Sequence, residues 1–120
     1  MNDNSIQDIF TNASEVSFPD IEDIKTLTKE SFDIWKAEYL SRLKRILSNE
    51  IDTCAKKGEY SCSFKSEPIS RHRADSLISA IKTEIVPLLK GYTIKSSIIE
   101  QDEQNNDDSL VVLIISVSWK

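Results

Sequence analysis

The sequence predicts an α+β fold with the element order α-β-α-β-β, a split β-α-β unit behind a long N-terminal helix. Three observations carry this. Apolar residues recur at gaps of three and four from Ile24 to Cys54, the spacing of one helix face. Two later segments, Glu59 to Phe64 and Tyr92 to Ile99, alternate apolar with polar residues as half-buried strands do. The chain then closes on Leu110-Val111-Val112-Leu113-Ile114-Ile115-Ser116-Val117-Ser118-Trp119, its most apolar run and one rich in β-branched residues. A continuous run of this kind belongs at the centre of a sheet. It is also too short to cross a membrane as a helix, which takes roughly 20 apolar residues.

Taken in order, residues 1–19 read as a flexible arm, in which Ile6, Ile9 and Phe10 suit one short helical turn and Val16 and Phe18 suit anchors among Asn, Asp and Ser. Residues 20–120 read as one α+β domain. Pro19-Asp20 opens the long helix, and Glu22 and Asp23 crowd its first turn, where the helix dipole favours negative charge. The stripe runs through Ile24, Leu27, Phe32, Trp35, Tyr39, Leu43, Ile46, Leu47, Ile51 and Cys54. Lys56-Lys57-Gly58 is a stop signal: bases in the last turn, then a residue free to turn left-handed. At 1.5 Å per residue such a helix is roughly 50 Å long. That exceeds what a small sheet can cover, so its first half is expected to project or to break near Thr26–Thr28.

The first strand points Tyr60, Cys62 and Phe64 one way, with Ser61 and Ser63 opposite. Lys65 to Pro68 is the expected connection to a second helix starting near Ser70. On that helix Ala74, Leu77, Ile78, Ile81, Ile85 and Leu88 share a face. Pro87 should bend or tighten its end, and Gly91 should stop it. A second strand then presents Tyr92, Ile94 and Ile98 on one face. Gln101 to Ser109 is an acidic, polar hairpin loop. The hairpin makes the last two strands antiparallel, and the helical crossover makes the first two parallel. With the most apolar strand central, the three-stranded sheet has the order 1-3-2, with both helices on one face. If Leu113, Ile115, Val117 and Trp119 face those helices, then Leu110, Val112, Ile114 and Ile99 form an apolar patch on the open face.

Composition excludes several functions. Only two glycines and three prolines occur in 120 residues, so Gly-rich phosphate loops are nearly ruled out. The net charge is −5, with acidic ends around a slightly basic middle. That is not the footprint of a duplex nucleic-acid binder. No secretory signal opens the chain, and Cys54 and Cys62 read as free thiols of a reducing compartment. Two cysteines and one histidine cannot close a zinc site alone, and the acidic loop lacks the glycine of a calcium loop. No metal or cofactor is expected. No nucleophile motif, Walker loop or dinucleotide fingerprint appears, and acid pairs such as Glu22/Asp23 lack an apolar setting for general-acid work. No catalytic residue can be named.

Two features remain. Arg71-His72-Arg73 opens the second helix, where bases oppose the dipole; two guanidiniums, an imidazole and free amides would suit an anion such as a nucleotide phosphate. Phe32, Trp35 and Tyr39 on the long helix, and Val112 and Ile114 on the open sheet face, are candidate protein-contact residues.

The punctuation itself is distinctive. The long helix closes in Ala55-Lys56-Lys57-Gly58-Glu59-Tyr60, the second in Leu89-Lys90-Gly91-Tyr92, and the chain ends in Ile115-Ser116-Val117-Ser118-Trp119. Over about residues 30–119 this layout resembles small proteins of tailed bacteriophages, especially large-genome ones. The resemblance implies a non-enzymatic phage protein, virion-associated or acting on the host, located in the virion or the host cytoplasm. It carries over no site residues. The expected partners are a second copy of the chain or another phage or host protein, not duplex nucleic acid or a membrane. The alternative is a nucleotide-binding inhibitor of host defence that uses Arg71, His72 and Arg73.

Overall fold

The computed structural model describes residues 16–101 and 109–120. The expected apolar points Ile6, Ile9 and Phe10, and most of the acidic hairpin loop, lie outside the described residues, and the expected anchors Val16 and Phe18 are 55% and 86% exposed, so they anchor nothing among the described residues. The chain divides into two compact units, one up to Ile34 and one from Trp35 to Lys120.

Helix α1 runs unbroken from Ile21 to Lys56. The expected break near Thr26–Thr28 does not occur. Threonine costs a helix only a few tenths of a kcal/mol, and the stretch holds no glycine or proline to interrupt the ladder. Asp20 starts the helix by accepting the Ile24 amide through its carbonyl, 3.1 Å away. The end is a Schellman motif. Gly58 sits at φ 82°, its amide donates to the Ala55 carbonyl, and the Glu59 amide donates to the Cys54 carbonyl. A side chain at Gly58 would meet no neighbour, so the left-handed backbone alone accounts for the glycine.

Strand β1 (Ser61–Lys65) follows, then a two-residue strand β2 (Ile69–Ser70) and helix α2 (Arg71–Ala80). Ser70 caps α2 by accepting the Arg73 amide through its hydroxyl. Beyond Ala80 the helix widens into a π turn (Ile81–Ile85) and then tightens into a 3₁₀ turn (Val86–Leu88). Pro87 is the local cause, since it has no amide to continue the α ladder and its ring crowds the preceding turn. This change of pitch corrects the expected face. Ala74, Leu77, Ile81 and Ile85 are buried as the spacing predicts, but Leu88 is 65% exposed. Strand β3 (Thr93–Glu100) and strand β4 (Leu110–Ser118) complete the fold.

The sheet is antiparallel and four-stranded, not three-stranded. β4 pairs with β1 from Ile114 to Ser118, with β2 at Leu110 and Val111, and with β3 from Val111 to Ser118. Val111 has a partner in both β2 and β3, so those two lie on opposite edges of β4. The same holds for β1 and β3 at residues 114–118. β1 and β2 therefore share one edge of β4, and β3 takes the other. The additional strand exists because the chain leaves that edge only at Glu67 and Pro68 and returns at Ile69, which is buried opposite Val111.

One sheet face carries Cys62, Phe64, Ile94, Ile98, Val111, Leu113, Ile115 and Val117. These pack with Tyr39, Leu40, Leu43 and Leu47 of α1 and with Ala74, Leu77, Ile81 and Ile85 in a single core. Burying each such aliphatic side chain contributes about 1.5–3 kcal/mol.

Candidate functional site

The basic triplet is divided among different duties. Arg71 is about one-fifth exposed and pairs its guanidinium with the Glu100 carboxylate at the end of β3. Its Nε is buried with no hydrogen-bond partner. The Arg73 guanidinium lies 4.4 Å from the centroid of the Trp35 ring. His72 is exposed. The amides of the first turn are also engaged: Arg71 donates its amide to the Ser109 carbonyl and Arg73 donates to Ser70. The two guanidiniums thus face different partners, Glu100 for Arg71 and the Trp35 ring for Arg73.

The aromatic candidates on α1 separate by depth. Phe32 is half-buried. Trp35 is half-buried against the core, its ring 5.4 Å from that of Tyr39. Tyr39 is only 3% exposed and belongs to the core, so it presents no contact surface. Burial, then the Glu67 carboxylate, raises the Tyr39 pKa, while Arg42 and Ser66 oppose that shift. Its hydroxyl is buried without a hydrogen bond.

The second sheet face carries Ser61, Ser63, Lys65, Thr93, Lys95, Ser97 and Ser116 around Ile99, Leu110, Val112 and Ile114, as strand alternation requires. Ile99 and Leu110 are each 47% exposed and Ile114 is half-buried. Val112 is 3% exposed, so its part in the expected patch falls to its neighbours.

The start of α1 departs from the expected stripe: Ile24 and Leu27, placed on one face with Trp35 and Tyr39, are exposed. Ile21, Ile24, Leu27 and Ile34 of α1 are 41–65% exposed. Ile24, Leu27 and Ile34 fall within one arc of the helix, because offsets of three and ten residues return to nearly the same side. Ile34 is the member that sequence reasoning missed: it stands seven residues after Leu27, two turns along the same side, but next to Trp35 of the core stripe.

Hollows also open among the described residues. An apolar groove of about 220 Å³ is lined by Leu47, Ile51, Ile85, Leu88, Leu89 and Tyr92, with Lys44 and Ser48 at its side. A polar groove holds Cys54 and Cys62 with Glu50 and Glu59. Both thiols are free, and both have raised pKa values. Burial leads in each case. Glu59 and Glu50 add to it at Cys54, and Cys54 and Glu50 add to it at Cys62. Thiols held protonated are poor nucleophiles and poor metal ligands. Among the described residues no group of three or more His, Cys, Asp or Glu side chains could hold a metal ion. No described helix is long and apolar enough to cross a membrane.

No family model, no curated protein and no solved structure matches this chain.

Proposed function

We propose that this protein acts by binding protein, first of all a second copy of itself, and catalyses nothing. This is the assembly or accessory role that the resemblance to small phage proteins implies. The observation that carries the reading is the apolar arc of α1: Ile24, Leu27 and Ile34 are 41%, 58% and 60% exposed. Soluble chains seldom leave a clustered aliphatic surface in water without a use for it. Ile99 and Leu110, exposed on the sheet, support the same conclusion.

The nucleotide-binding alternative finds less support. Arg71 already has a carboxylate partner in Glu100, and the first-turn amides of Arg71 and Arg73 already have acceptors.

The test is the solution mass of the full chain by sedimentation, from micromolar to millimolar concentration. Association that weakens in the Leu27→Glu, Ile34→Glu double variant supports the α1 surface. Both positions are exposed, so folding should be unaffected. A chain that stays at 13.7 kDa throughout would sink self-association.

A further inference from the structure

The outer edge of β3 is open. Gln101, directly opposite Leu110, donates its amide to the Leu110 carbonyl. In an antiparallel ladder the hydrogen-bonding direction alternates along a strand. Odd-numbered residues of β3 therefore aim their backbone groups at β4. Ile94, Ser96, Ile98 and Glu100 aim theirs away from the sheet, and no strand among the described residues meets them. The other side of the sheet is managed differently. β1 is only five residues long, and the chain leaves that edge at Glu67 and Pro68. Short strands and prolines are how sheets blunt their edges. β3 is eight residues long, with no proline and no interruption.

We propose that β3 pairs with the β3 of a second copy, antiparallel, about a two-fold axis through Ser96. This rests on the self-association reading, whose exposed apolar surface is on α1, and adds the backbone edge that sets the register of the pair. The occupant follows from the strand's own complementarity. Outward-facing amides sit on even residues only, so even must meet even. With Ser96 on the axis, Ile94 faces the partner's Ile98, and the reverse pair repeats it. Ile94 and Ile98 are half-buried members of the core margin, so the pairing joins two cores into one apolar layer. On the other face, Thr93 lies across from the partner's Ile99, which is 47% exposed in the single chain. Cross-strand pairs of β-branched residues are favourable. Moving the axis one residue to Ser97 would instead place Ile94 against the partner's Glu100.

Charge favours the antiparallel sense as well. Lys90 and Lys95 lie towards the start of β3 and Glu100 closes it, so antiparallel pairing brings the basic start to the acidic end. A lysine on an edge strand usually opposes pairing. Here Lys95 meets the partner's Ser97, and the two lysines are only diagonal neighbours on a solvated face, roughly 7–8 Å apart by backbone geometry. The pairing is isologous and consumes both open edges, so growth stops at two chains.

Hydrogen exchange on the full chain, read amide by amide beside the sedimentation mass, tests the proposal. At concentrations where the mass doubles, the amides of Ile94, Ser96, Ile98 and Glu100 should become protected, and they should lose that protection on dilution. Ser96→Pro should return the mass to that of one chain and keep the fold, because the amide it removes bonds nothing within the chain. Ser97→Pro removes an internal ladder bond and should unfold the sheet. A dimer whose even-numbered β3 amides exchange freely overturns the edge pairing and leaves the broader reading standing. So does a dimer that survives Ser96→Pro, or one in which those amides are already protected after dilution to single chains. A monomer at every concentration with those amides free overturns both.

Discussion

Ser66 and Leu113 are joined twice. The Ser66 amide donates to the Leu113 carbonyl at 2.9 Å, and the Leu113 amide donates to the Ser66 hydroxyl oxygen, also at 2.9 Å. The hydroxyl in turn donates to the Glu67 carbonyl at 2.7 Å. A serine side chain thus stands where a strand residue would supply a carbonyl, and it carries the β4 ladder across the gap between β1 and β2.

That arrangement makes Ser66 expensive to replace. It is 6% exposed, and Leu113 is fully buried. Ser66→Ala leaves the Leu113 amide in the core without an acceptor, and an orphaned buried donor costs about 1–3 kcal/mol. Urea unfolding should show a loss in that range with an unchanged m-value. Ser63→Ala, exposed on the neighbouring strand, should change stability by less than about 0.5 kcal/mol. Equal effects at the two sites would refute this account of Ser66.

Tyr39 should behave in the opposite way. Its hydroxyl is buried with no partner in hydrogen-bonding geometry, and Ser66 is the weakest of the groups acting on it, so Tyr39→Phe removes a desolvated polar group and keeps the ring. The variant should be as stable as the parent or more stable, by up to ~1 kcal/mol. The pH dependence has a definite sign. Burial and Glu67 raise the phenol pKa in the folded chain above its ordinary value of 10.0. Above that pH the unfolded chain releases the proton first, so stability falls as pH rises further. Tyr39→Phe should flatten the alkaline limb of a stability–pH curve. An unchanged limb would show that Tyr39 does not titrate as described.

Much of this architecture is written in local pattern. β4 announces itself by β-branched residues, and its central place follows from being too apolar for an edge. The close of α1 is legible in Lys56-Lys57-Gly58, because a left-handed cap needs a residue without a side chain. β2 is not legible: two residues after Pro68, the second of them the helix cap Ser70, carry no periodicity, and the bond that admits them comes from the Ser66 side chain. The exposure of Leu88 escaped for a related reason. Pro87 is visible, but whether a helix answers it with a kink, a π turn or a 3₁₀ turn depends on what Ile81 and Ile85 pack against. Tyr39 and Phe32 lie on one stripe of similar residues. Only tertiary packing decides that one is buried and the other half-exposed.

The cysteines should be unreactive. Both thiols have pKa values above the ordinary value of 9.0, with burial the leading cause and nearby carboxylates adding to it. The thiolate is the reactive form, so alkylation by iodoacetamide near neutral pH should be slower than for a small free thiol. Glu50 acts on both groups, and Glu50→Gln should speed the labelling of each. Labelling as fast as glutathione's in the native chain would show that these thiols are neither buried nor held protonated as argued.

Arg73 and Trp35 supply the last test. The guanidinium sits 4.4 Å from the indole centroid, within the distance at which a cation is drawn to an aromatic face. Arg73 is itself exposed, so the contact is worth about 0.5–1 kcal/mol. It also explains a base in the first turn of α2, where the helix dipole disfavours positive charge. Arg73→Ala should cost that amount and shift the Trp35 emission to the red as water reaches the ring. Trp119, paired with Tyr92 at 6.1 Å, should contribute an unchanged background. Arg73→Lys keeps the charge but not the flat guanidinium, so it should recover only part of the loss. Full recovery by lysine would mean that charge alone, rather than stacking, holds the start of α2 against α1.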